Sequence, residues 1–151
     1  MSSPKLVRVL FALSAAATAA AILLIDPRGE FPLSDDWSYA HAARSLCYGD
    51  GLDLLPWTGA STVLQASYGA LICKLWGFSF LGLRISTLTL ALSTLWAVAI
   101  LARQIGLPPV SVAAALATLG LNPLFVNLSF TFMTDIPFLA LVLWASCLYT
   151  A

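Results

Sequence analysis

Apolar residues fill this chain in long runs, and the polar breaks between the runs mark its elements. Leu6 to Ile25 carries no charge after Arg8. About 20 residues at about 1.5 Å each cross about 30 Å of hydrocarbon, so a first transmembrane helix is expected within 1–25. Lys5 and Arg8 ahead of it predict a cytoplasmic amino terminus. The small residues from Ala15 to Ala21 resemble a signal-peptide cleavage site. However, Ile22-Leu23-Leu24-Ile25 carries the apolar core past them, so the segment reads as an uncleaved anchor.

Asp26 to about Ser61 is polar by contrast. Pro27, Gly29 and Pro32 stop any continuing helix. Ser34 is the expected N-cap of the next helix, with Asp35 and Asp36 in its first turn, where the helix dipole favours carboxylates. That helix is expected to run to Tyr48 and close at Gly49. Trp37, Ala40, Ala43 and Cys47 recur at three- and four-residue spacing, with His41 and Arg44 between them. A helix of this kind lies in the membrane interface rather than across it. Val63 to Gly77 is apolar but holds Gln65, Ser67 and Lys74. At about 15 residues it reaches only about 23 Å. Its short length and Lys74 favour an interfacial position over a span.

Three further apolar segments follow. Leu83 to Arg103 is expected to span. Pro108-Pro109 opens the next, which runs to Phe130 with Asn122-Pro123 interrupting its far end. Asp135-Ile136-Pro137 opens the last. If 63–77 lies at the interface there are four spans, and Asp135 shares the side of the Asp35 loop. If it crosses there are five, and Asp135 faces the other side. The expected fold class is all-α and polytopic: about four transmembrane helices, with interfacial helices in the first extracytoplasmic loop. The segments are 1–25, a loop over 26–82, and later spans over 83–151.

Composition agrees: 60% of residues are hydrophobic and 9% charged, with mean hydropathy +0.93. The formal net charge is zero, which gives a nucleic-acid partner no support. Cys47, Cys73 and Cys147 lack metal-type spacing and read as small apolar fillers. His41 is the only histidine, so a multi-histidine metal site is excluded within these residues; a divalent cation bound by acids is left open. Six of the seven acids, Asp26, Glu30, Asp35, Asp36, Asp50 and Asp53, gather in the 26–61 loop, and Asp135 stands alone. The chain stops inside an apolar run at Leu148-Tyr149-Thr150-Ala151, as the amino-terminal part of a longer protein would. On that reading residues 1–151 alone are expected to insert in the membrane without activity.

The candidate chemistry lies in Phe31-Pro32-Leu33-Ser34-Asp35-Asp36-Trp37-Ser38-Tyr39-Ala40. Two adjacent carboxylates at a helix start, beside the membrane, suit a general base facing a lipid-borne substrate. An acid at membrane depth, as at Asp135, is also a functional candidate.

The acidic pair followed by two residues and then Tyr39, the later Met133-Thr134-Asp135-Ile136-Pro137-Phe138, and Trp76-Gly77-Phe78 with Leu83-Arg84-Ile85 between them form an ordered set. This set resembles the GT-C superfamily of polyprenyl-phosphate-dependent membrane glycosyltransferases, and within it the protein O-mannosyltransferase and lipid A aminoarabinose transferase group. Asp36 departs mildly, since that position is commonly Glu there. The resemblance covers nearly the whole chain in order and spacing. It implies the amino-terminal part of a GT-C fold in a bacterial plasma membrane. It also implies inverting sugar transfer from a polyprenyl-phosphate donor to a lipid, glycan or protein acceptor on the non-cytoplasmic face. Asp35 would be the base, with Asp36 and Asp135 shaping the site. Arg84 would meet the donor phosphate, and Trp37 and Tyr39 a sugar or lipid. A transporter or channel component with acidic ion or proton sites is the alternative. Asn127-Leu128-Ser129 fits a glycosylation sequon but lies against the membrane.

Overall fold

The computed structural model describes residues 28–58 and 62–151, together with residues 9, 16, 20, 21 and 23–26. Most of the expected first span lies outside the described residues; Leu23, Leu24 and Ile25 are helical and exposed. Residues 28–58 and 62–151 hold six helices and no strand: α1 Asp36–Tyr48, α2 Val63–Trp76, α3 Phe80–Gln104, α4 Pro109–Gly120, α5 Pro123–Ser129 and α6 Asp135–Tyr149.

The boundaries follow local chemistry. α1 ends at Gly49, whose φ of 93° is left-handed and lets its N–H and that of Asp50 return to the Ser45 carbonyl. α3 starts three residues before the expected Leu83, inside the segment assigned to the loop. There the Ser79 hydroxyl accepts the Gly82 N–H at 3.1 Å and caps the helix. Asn122 caps α5 in the same way, accepting from Leu124 and Phe125, with Pro123 in its first turn. The break at Leu121-Asn122 bends α4 and α5 by 61° from one another.

Among the described residues one helix is long and apolar enough to cross a membrane, Phe80–Gln104, or two if the bent α4–α5 pair is one span. At 15 residues α6 is a shorter apolar helix. Five hydroxyls on α3 (Ser86, Thr87, Thr89, Ser93 and Thr94) each bond a carbonyl three or four residues back. They therefore satisfy themselves within the helix and suit an apolar surround.

α3 and α6 pack side by side and run the same way. Leu83, near the start of α3, packs with Phe132, just ahead of α6. Lower down, Ala91 packs with Ile136. The Cys147 thiol reaches the Ala97 carbonyl, and Gln104 bonds both Cys147 and Thr150. α4 and α5 form the return stroke between them. The N-terminal ends of α3 and α6 thus lie together, and α1 and α2 sit at that end.

α2 does not run alongside the length of α3. Its first turn places the Gln65 amide on the Phe132 and Met133 carbonyls. Its last turn leads in three residues to Phe80. Both ends are therefore held near one end of the α3–α6 pair. α1 and α2 pack closely, because Gly69 lets Ala43 and Phe132 approach: a Cβ there would lie 2.6 Å from the Ala43 Cβ and 2.7 Å from the Phe132 ring.

A disulfide joins α1 to α2, Cys47 to Cys73, with Cα atoms 6.1 Å apart. This corrects the reading of these two cysteines as apolar fillers. Their separation of 26 residues gave no sequence sign of pairing; only the packing of two helices brings them together. Cys147 is a free, buried thiol, as a filler would be.

Candidate functional site

The acidic pair splits at the helix start. Ser34 is not the N-cap: it has a positive φ of 56° and Asp35 precedes the helix, making no side-chain cap bond. The turn at Ser34 sends the two neighbouring carboxylates opposite ways. Asp35 is exposed and Asp36 has no exposed surface.

Asp36 is the centre of the buried network. One carboxylate oxygen accepts the Leu33 N–H at 2.7 Å, and the other accepts the Phe132 N–H at 3.3 Å, 96 residues away. Burial pushes its pKa up, while these two N–H groups and the positive charge of Arg84 pull it back.

Arg84, 2% exposed, donates to the carbonyls of Gly29, at 3.0 Å, and Phe31. Its guanidinium also lies over the Phe31 ring, 5.0 Å from the centroid. These contacts turn its donors toward the loop rather than toward an open face. Glu30 ties the same loop to the start of α3: it accepts from the Ser79 hydroxyl at 2.6 Å and from the Phe80 N–H at 2.9 Å. The Ser79 hydroxyl is the chief cause of its lowered pKa.

Around this network lie the exposed groups. Asp135 opens α6 and is exposed. It follows the Phe132-Met133 segment that Asp36 and Gln65 hold, so Asp35 and Asp135 share one end of the molecule. Trp37 packs against Trp57 with centroids 5.6 Å apart, and both indoles are exposed. Trp37 therefore leaves the face it was expected to share with Ala40 and Ala43. Tyr39 is half-buried against the cluster of Ala40, Ala43, Leu83 and Phe132. His41 bonds Asp53 at 2.9 Å, and Asp26 pairs with Arg28 at 2.6 Å. Most acids of the loop are thus already engaged, and Asp35 and Asp50 face solvent.

Sequence reasoning passed over Gln65 and Glu30, which fasten the site's walls. A lone amide in an apolar helix was the available signal for Gln65. Nothing near Glu30 in sequence marked its partners, which lie about 50 residues on. Among the described residues no three or more His, Cys, Asp or Glu side chains gather as a metal site would need. Compared with known proteins, the chain matches no family model, no curated protein and no solved structure.

Proposed function

We propose that the chain belongs to a polytopic membrane glycosyltransferase of the GT-C type, carrying its acidic loop on the non-cytoplasmic face. The observation that carries this reading is the Asp36–Phe132 link, which sets two exposed carboxylates, Asp35 and Asp135, at one end of the helices. The donor is a sugar on a polyprenyl phosphate, and the acceptor a lipid, glycan or protein hydroxyl. Asp35 takes the acceptor's proton as the acceptor oxygen attacks the anomeric carbon. The bond from that carbon to the phosphate oxygen breaks, inverting the centre, and polyprenyl phosphate leaves. Asp36 fixes the position of Asp35, and Asp135 lines the opposite wall. Trp37 offers an exposed face to the sugar or lipid. Tyr39 backs the loop, and Arg84 holds it in place beside the donor phosphate.

Sidedness has its own support. Disulfides persist in oxidising compartments, and Cys47–Cys73 lies at the Asp35 end. The free thiol Cys147 lies at the other end with Arg103; because Arg28, Arg44, Lys74 and Arg84 lie at the Asp35 end, the positive-inside tendency does not decide the sidedness and the disulfide carries it. This proposal keeps about four spans, with α2 at the surface. The broken α4–α5 pair would suit a transporter, but residues 109–129 contain no charged side chain to hold an ion.

The test uses membranes carrying the protein at its full encoded length, supplied with polyprenyl-phosphate sugars, and follows release of the lipid phosphate. Asp35→Asn should lower turnover by roughly a hundred- to ten-thousand-fold while insertion stays intact. Near-normal turnover in that variant removes Asp35 as the base. Absence of turnover in the unaltered protein with every sugar donor tried removes the transferase reading.

A further inference from the structure

α2 has two unlike faces. Gln65, Ala66, Gly69, Ala70 and Cys73 are buried against α1 and Phe132. Leu64, Leu71 and Leu75 are 66%, 55% and 61% exposed, at spacings of seven and four that align them along the other face. Lys74 lies in the last turn beside this stripe and makes no ion pair among the described residues. Beneath it, Leu46 of α1 and Ser67, Ala70, Leu71 and Lys74 of α2 line an open groove of about 350 Å³ along the seam of the two helices.

Three observations choose the occupant. α2 passes through three residues into α3, the helix with the length and apolarity of a span. α3 carries an outward apolar stripe of its own, with Ile85, Leu92 and Trp96 exposed. The stripe on α2 is apolar along its length, with one cation near its end, which matches an acyl chain beneath a phosphate. The groove combines the same two features, apolar walls and a single ammonium.

We propose that α2 lies in the outer leaflet as a surface helix, and that the α1–α2 seam seats one anionic phospholipid with its phosphate on Lys74. Leu64, Leu71 and Leu75 enter the upper acyl region, and the Lys74 stem runs along the apolar wall with its head at the phosphate level. This inference rests on α3 crossing the bilayer and on the sidedness proposed above, not on sugar transfer, so the lipid site and the transferase reading fail separately.

The experiment places the protein in nanodiscs of brominated phospholipids and reads Trp76, the 75% exposed last residue of α2, as the difference between the unaltered protein and Trp76→Phe. Bromines near the glycerol should quench the Trp76 component more than bromines at the chain end. Brominated phosphatidylglycerol, diluted in plain phosphatidylcholine, should quench it about fivefold more effectively than brominated phosphatidylcholine at the same dilution. Lys74→Gln should abolish that preference and leave the depth unchanged. Strongest quenching by chain-end bromines would show that α2 crosses the membrane. Quenching by aqueous iodide alone would show water on this face, and shielding from both iodide and bromine would show another protein surface on it. A headgroup preference that is absent, or that survives Lys74→Gln, would remove the lipid site. Each of these five results overturns the proposal.

Discussion

A carboxylate with no exposed surface must find its partners inside the protein, and Asp36 finds two backbone N–H groups, at Leu33 and Phe132. An amide cannot replace it fully, because its NH₂ would face one of those donors. Asp36→Asn should therefore destabilise the protein by about 1–3 kcal/mol, the cost of one buried donor left unpaired. Denaturation of the purified protein in mild detergent checks this, and an unchanged midpoint would show that the Phe132 link carries no weight. The pH dependence has a definite sign. Burial raises the Asp36 pKa above its unfolded value, so on acidification the folded state takes up this proton before the unfolded chain does. The Asp36 contribution should be most favourable below its unfolded pKa and be lost as pH rises from there through the raised folded value. Glu30, whose pKa is lowered, acts oppositely: its contribution is lost as pH falls through its folded value. Comparing unaltered protein, Asp36→Asn and Glu30→Gln across the acid range separates the two. Identical pH slopes for all three would refute both assignments.

Among the elements, the α1–α2 pair depends on two small features. Gly69 has no room for a side chain, since Ala43 contributes a rigid Cβ at 2.6 Å. Gly69→Ala should cost about 1–3 kcal/mol as the helices are forced apart, whereas alanine in an uncrowded helix would help. The Cys47–Cys73 bond closes a loop across a separation of 26 residues, for which chain entropy gives a stabilisation of about 3.5 kcal/mol. Reduction, or the double change to serine, should lower the unfolding midpoint accordingly. A mass spectrum showing both thiols free in protein taken from membranes would falsify the pairing. Much of this element was legible beforehand: the ends of α1 at Tyr48 and Gly49, and the short reach of α2. The start of α1 was misplaced by one residue, because the positive φ at Ser34 arises from a turn that Asp36 fastens, and single-residue capping preferences do not contain that contact.

For the molecule as a whole, the parallel run of α3 and α6 puts both their N-terminal ends beside α1 and α2. Cysteines introduced one at a time at Ser34 and Thr134 should therefore react with an impermeant reagent from the same face of sealed vesicles. Labelling from opposite faces would mean that the packing of Asp36 on Phe132 does not survive in the membrane. The sequence by itself determined the all-helical class, the apolar segments, the break at Asn122-Pro123 and the gathering of acids in one loop. These follow from residue periodicity, proline and charge, which act over one or two helical turns. Tertiary structure alone decided which of two adjacent aspartates is buried, that Arg84 holds the loop, that Trp37 meets Trp57, and that Cys47 meets Cys73. Each of those depends on a partner between 20 and 96 residues away, and no local pattern encodes which distant group a folded chain brings within hydrogen-bonding reach.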